Sequence, residues 1–174
     1  MPSVPALVFA LPLLALVALF PPAGIGEAAP LKPRQRSEPP DPRVWSLVRG
    51  EDTFVLRFGI PRDPDPVFAA TCQPSARLLQ FAVEVDGRPF SSGDGVPLAL
   101  SIGKRRLELA ATAFLGASDG TLVVEAAVAL DRRVFDLFRA GDVLTVKMPT
   151  ATQTYPLATA RGRLADFEAA CFAR

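Results

Sequence analysis

Carboxylates are the acid–base groups this chain has to work with, because its 174 residues contain no histidine. That absence removes Ser-His-Asp triads, Cys-His dyads, histidine zinc sites and ordinary haem ligation together. Its two cysteines fall short of a four-cysteine zinc or iron–sulfur site. Asp63 and Asp65, in RDPDP, are of the type that ligates calcium, since carboxylate oxygens on a turn can converge on a hard cation. The interleaved prolines describe a plain exposed loop, and no further ligand follows at calcium-loop spacing. Asp131 with Asp136, and Asp166 with Glu168, fit helix starts and helix faces. Ser91 and Ser92 precede Gly93 without a Gly-x-Ser-x-Gly elbow or a Ser-x-x-Lys motif.

Guanidinium groups are the other chemical resource. Arg105 with Arg106, after Lys104, and Arg132 with Arg133 are candidate anion-binding residues, because a planar guanidinium fork matches phosphate or an acidic glycan. No aromatic residues interleave these clusters and the formal net charge is only +1, so nucleic acid is not expected as a partner. A solvated turn and a helix start are the plainer readings of the two clusters. Trp45, the single tryptophan, is read as a cap on the core, and Phe135, Leu137 and Phe138 as core packing.

Cys72 and Cys171 are the only cysteines and stand 99 positions apart. Redox thiol pairs more often sit close together, as Cys-x-x-Cys, so a structural disulfide is expected. Closing a loop of that length corresponds to about 4 to 5 kcal/mol in the chain-entropy model.

The elements that must position these groups begin with an address label. Val4 to Phe20 is an uncharged apolar run, followed by Pro21-Pro22 and small residues, the layout of a secretory signal peptide. The expected cut follows Ala28, with a cut after Gly26 as the second choice; an uncleaved anchor is the alternative. Residues 1–28 are thus assigned to the signal peptide, 29–43 to a disordered Pro-rich tether and 44–174 to a β-sandwich domain. The tether has five prolines and six charged residues, too little apolar surface to offset ordering entropy. Removing residues 1–28 leaves a net charge of +2 on 146 residues.

From Val44 onward the apolar period is two. Phe54, Leu56 and Phe58 alternate with other residues, as do Leu79 to Val85, Val96 to Ile102, Leu107 to Ala113, Leu122 to Ala126 and Val143 to Met148. Asp86-Gly87, Asp94-Gly95 and Asp119-Gly120 between these runs predict hairpins or tight turns. Two segments break the pattern. Asp131 is placed to cap a short helix through Phe138, with Gly141 at its left-handed end, and Leu164, Phe167, Ala170 and Cys171 recur at helical spacing. The pattern predicts an all-β fold, an antiparallel β-sandwich or partly open barrel with one or two short helices including a C-terminal helix.

The residues LFRAGDVLTVKM, 137–148, and TYPLATARGRLADFEAAC, 154–171, hold a Leu-x-x-x-Gly-x-x-Leu-x-Val strand entry, a short strand before a Leu-x-x-x-x-Gly turn, and a closing helix. This pattern resembles the invasion-associated locus B family and related small secreted proteins of alphaproteobacteria. The resemblance covers about 35 residues. It implies a periplasmic or surface-exposed β-sandwich protein, in some members linked to host-cell invasion, and it transfers no catalytic residue.

Together these readings lead to the expectation of an exported, non-enzymatic bacterial protein, periplasmic or secreted, without cofactor or metal, that binds an envelope or host protein or glycan. A small-ligand or anion carrier using Arg105, Arg106, Arg132 or Arg133 is the alternative. A third is a polysaccharide hydrolase, which needs two carboxyl groups about 5 to 10 Å apart.

Overall fold

A computed structural model describes residues 40–116 and 120–173. The expected signal peptide, most of the tether, and Asp119 of the third Asp-Gly pair lie outside them. Nine strands follow: β1 (Val44–Arg49), β2 (Phe54–Gly59), β3 (Phe68–Gln73), β4 (Leu78–Val85), β5 (Gly95–Ile102), β6 (Arg105–Leu115), β7 (Leu122–Ala129), β8 (Val143–Lys147) and β9 (Thr152–Pro156). All pair antiparallel in a single sheet of order β1-β2-β3-β4-β7-β6-β5-β8-β9.

Of the two expected architectures, the partly open barrel is the one found. The sheet is continuous rather than split into two layers, and it curls until its ends face each other. The Trp45 indole on β1 donates to the Pro156 carbonyl on β9 at 2.6 Å. Tyr155 of β9 packs its ring 5.7 Å from Phe58 on β2 and 5.0 Å from Phe68 on β3. Strand pairing does not join β1 to β9, so this seam is closed by side chains alone.

Alternation explains which face is inside. On β4 every second residue, Leu79, Phe81, Val83 and Val85, is buried. In register beside them lie Cys72, Ala70 and Phe68 of β3 and Val128, Ala126, Val124 and Leu122 of β7. The same inward set continues through Val96, Leu98, Leu100 and Ile102 of β5 and Leu144 and Val146 of β8.

Two helices cover part of this concave face. α1 (Arg132–Phe138) is capped by Asp131, whose carboxylate accepts the Arg133 amide at 2.9 Å. Its Phe138 packs 6.2 Å from Phe81 of β4. α2 (Arg161–Cys171) follows a single 3-10 turn, Ala158–Ala160, and is bonded to the sheet: Cys72 and Cys171 form a disulfide with their Cα atoms 5.9 Å apart. Phe135 of α1 meets Phe167 of α2 at 5.7 Å, so the helices also pack on each other.

Several local expectations need correction. Gly141 is not the left-handed end of α1, which closes at Arg139 in ordinary helical geometry. Space is tight there, because a Cβ would lie 3.1 Å from Ile102 Cγ2 and the isoleucine would have to give by a few tenths of an ångström. Gly162 does not close a turn but stands in the first turn of α2. Asp86-Gly87 does turn the chain, with Gly87 at φ 72°, yet it makes no hairpin: β4 pairs with β7, and β5 lies three places further along the sheet. Before β5 the left-handed residue is Gly93, at φ 95°, rather than Gly95. The sequence reading named no strand over 68–73.

The disulfide generates a stability expectation. Replacing both Cys72 and Cys171 by Ser frees α2 from β3 and lowers unfolding free energy by about 4 kcal/mol in the chain-entropy model. Urea titration of the oxidised protein and the double variant measures this. A difference below about 1 kcal/mol would mean that packing of Phe167 holds α2 without the cross-link.

Candidate functional site

The four candidate arginines are distributed by strand alternation and helix rotation onto three different surfaces. On β6, Leu107, Leu109, Ala111 and Ala113 face inward, so Arg105 shares their side while Arg106, Glu108 and Ala110 face outward. Arg106 Nε accordingly donates to Glu108 Oε1, two residues along, at 2.9 Å. Arg132 stacks over the Phe172 ring at 4.4 Å and lies 3.6 Å from Glu168 Oε1. Arg105 and Arg133 meet across a cleft of about 350 Å³ between β6 and α1, with Leu107, Val134 and Leu137 in its lining. Arg106 borders the same cleft. Arg105 Nη1 donates to the Asp136 carbonyl at 3.3 Å, which draws it toward α1.

Glu168 is an unexpected element of this region. Its residue is 9% exposed, although its place in the sequence suggested only a helix face. A buried carboxylate needs partners, and Arg139 supplies a charged hydrogen bond while Arg132 adds the longer ion pair. Arg139 also donates to Asp136 Oδ1 at 2.7 Å. Charges from α1 are thereby committed to α2, and the Glu168 pairing raises the Arg139 guanidinium above its ordinary value.

A larger groove, about 640 Å³, lies on the outer face of β5, β6 and β8. Pro97, Ala99 and Ala110 form its floor, with Met148 and Pro149 at one side and Arg106, Glu108 and Lys147 around it. Registration explains the depression: Pro97 stands opposite Ala110, and Ala99 lies between Glu108 and Lys147, so small side chains are flanked by long ones. Sequence reasoning missed this groove. Its signal was the run of small or apolar residues at the outward positions Gly95, Pro97 and Ala99, where a solvated face would carry polar groups.

At the seam, a polar hollow of about 220 Å³ is lined by Arg43, Glu84, Asp86, Gln153 and Tyr155. The Tyr155 hydroxyl donates to the Val67 carbonyl at 3.2 Å and bonds the Gln153 amide oxygen, while Gln153 Nε2 donates to the Glu84 carbonyl at 2.7 Å. Burial raises the Tyr155 phenol above its ordinary value, with Arg43 opposing and Glu84 and Asp86 assisting. The hydroxyl is a structural tie across the seam.

The remaining candidates are absorbed locally. Asp63 Oδ1 accepts the Asp65 amide at 3.0 Å, and the Asp63 carbonyl accepts Arg57 Nη2 at 2.7 Å, so this loop is held by a local carboxylate turn and by Arg57 of β2. Ser91 gives its amide to Asp94 Oδ2 at 2.8 Å in a turn. Trp45, Phe135, Leu137 and Phe138 are buried in the core. Among the described residues no cluster of three or more Cys, Asp or Glu is placed to hold a metal ion. Among them, too, no helix is long and apolar enough to cross a membrane.

No family model matches the chain, and no curated protein matches it. Among solved structures, the crystal structure of invasion associated protein B from Bartonella henselae is similar over 72% of this chain and 94% of that one, at 15% identity and a TM-score of 0.39. That is a weak resemblance. The architecture of this chain rests on its own strand pairing.

The seam predicts an alkaline signature. A phenol whose value is raised by folding contributes stability that is complete below its unfolded value near 10 and is lost as pH rises above it. Ultraviolet titration of the native protein is therefore expected to show Tyr155 still protonated at about pH 11, and the urea-unfolded chain to ionise near the ordinary value. A native phenol that ionises near 10 would show that water reaches it and that the seam is open.

Proposed function

We propose that the chain is an exported, non-enzymatic binding protein whose partner is a protein or glycan of the bacterial envelope or of a host. The observation that carries this reading is the groove on β5, β6 and β8: concave, floored by Pro97, Ala99 and Ala110, and rimmed by both signs of charge. Its volume lies within the usual range of about 300 to 1,000 Å³ for ligand sites. An apolar floor supplies affinity by dehydration, while Arg106, Glu108 and Lys147 supply direction. Export is supported by the Cys72–Cys171 bond, which suits an oxidising compartment, and by the apolar N-terminal run with its small-residue exit.

A second reading, an anion carrier, is favoured by a different observation: Arg105 and Arg133 share one cleft with an apolar lining. Of the four arginines proposed for that role, these two supply the cleft's guanidinium pair; Arg132 is engaged by Glu168 and Phe172, and Arg106 by Glu108.

Two measurements test the leading reading. Intact mass of protein from the native envelope fraction is expected to match residues 29–174, two hydrogens lighter than after reduction. An uncut chain with free thiols would remove export. Ala110→Arg fills the groove floor from an exposed position. It is expected to cut recovery of partners crosslinked in that fraction by about tenfold, with the melting temperature within about 2 °C of wild type. Unchanged recovery would exclude the groove as the contact surface.

A further inference from the structure

Among the described residues Arg43, Arg106, Arg132, Arg139 and Arg161 each have a carboxylate partner. Among the same residues Arg49, Arg57, Arg62, Arg77, Arg88 and Arg163 form no ion pair, and neither do Arg105 and Arg133; these last two differ in lining one cleft together, between β6 and α1. Arg105 has a carbonyl contact to Asp136, which fixes its direction without neutralising it. Two guanidinium groups facing one small volume repel each other, and an oxyanion between them reverses the sign of that energy. The lining they share is aliphatic: Val134 is 9% exposed, Leu137 is 4% exposed, and Leu107 is half-buried. An inorganic anion alone would leave the exposed part of that lining, chiefly Leu107, wet, and an alkyl chain alone would leave the two charges uncompensated.

Resting on the anion-carrier reading, we infer that this cleft binds a phosphate monoester carried on an aliphatic chain. The phosphate sits between the guanidinium groups of Arg105 and Arg133, and the first carbons of the chain lie on Leu107, Val134 and Leu137. A phosphate monoester is preferred to a carboxylate because its charge near −2 at neutral pH balances both arginines, and its three terminal oxygens let each guanidinium take a separate acceptor. A cavity of about 350 Å³ stands at the small end of ligand sites, so it takes a head group and a short length of chain rather than a whole lipid.

Isothermal titration of the oxidised protein with octyl phosphate below its micelle concentration tests the inference, with inorganic phosphate and octanol as partial ligands. Octyl phosphate is expected to bind at least about tenfold more tightly than either, and Arg105→Gln and Arg133→Gln are each expected to weaken it at least about tenfold. Arg163→Gln, at an exposed position of α2 outside the cleft lining, is expected to leave it unchanged. Flotation with phosphatidylcholine vesicles, with and without phosphatidic acid, separates the sources. Arginine-dependent flotation assigns the head group to a membrane, and binding only of octyl phosphate assigns it to a free amphiphile. If inorganic phosphate binds as tightly as octyl phosphate, the aliphatic part of the inference fails while the anion reading stands. If neither phosphate binds, or the protein carrying both Arg105→Gln and Arg133→Gln binds octyl phosphate as wild type does, the inference and the anion reading fail together.

Discussion

A nine-stranded sheet with one apolar face has to cover that face, and the described residues include few helical ones to do it with. α1 has 7 residues and α2 has 11. The sheet therefore covers itself, and everything else follows from the curl. Its ends are brought together by four rings from four strands: Trp45, Phe58, Phe68 and Tyr155 pack with centroids between 5.0 and 5.7 Å apart. Aromatic side chains suit this task because each buries a large area while its edge and face still find complementary neighbours. The polar atoms carried into the seam are satisfied there, the indole by Pro156 and the phenol by Val67 and Gln153. A seam made of side chains leaves both edge strands without a ladder partner on one side, which distinguishes this fold from a closed barrel.

The helices occupy what the curl leaves open. α2 is held by a covalent bond to β3, by Phe167 against Phe135, and by the pairing of Glu168 with Arg139 and Arg132. That combination explains how a helix with a solvent-exposed Arg161-Gly162-Arg163 start is fixed at its other end. It also decides the fate of the basic residues of α1. Arg132 and Arg139 are drawn toward α2 by its one buried carboxylate, and Arg133, on another side of the same short helix, is left facing β6. The unpaired charge in the cleft is thus a consequence of how the C-terminal helix is anchored.

The amino-acid sequence by itself determined the character of most strands, because a strand with one wet face must alternate. β2, β4, β5, β6, β7 and β8 were legible this way, as was the Asp131 cap on α1, whose hydrogen bond is local. Alternation fails where both faces are covered or where few side chains reach the core. In β3 Phe68, Ala69 and Ala70 are consecutively buried, so no polar contrast marks the strand. In β9 only Tyr155 is buried, and the flanking residues are polar or proline. Tertiary structure alone decided that β4 pairs with β7 instead of β5, that Glu168 is inside, and that Arg105 meets Arg133 while Arg106 and Arg132 do not join them. The physical reason is range. Period and capping act over a few residues and are written in neighbouring letters, but strand order and the convergence of charges depend on which distant surfaces exclude water together, which no spacing along the chain records.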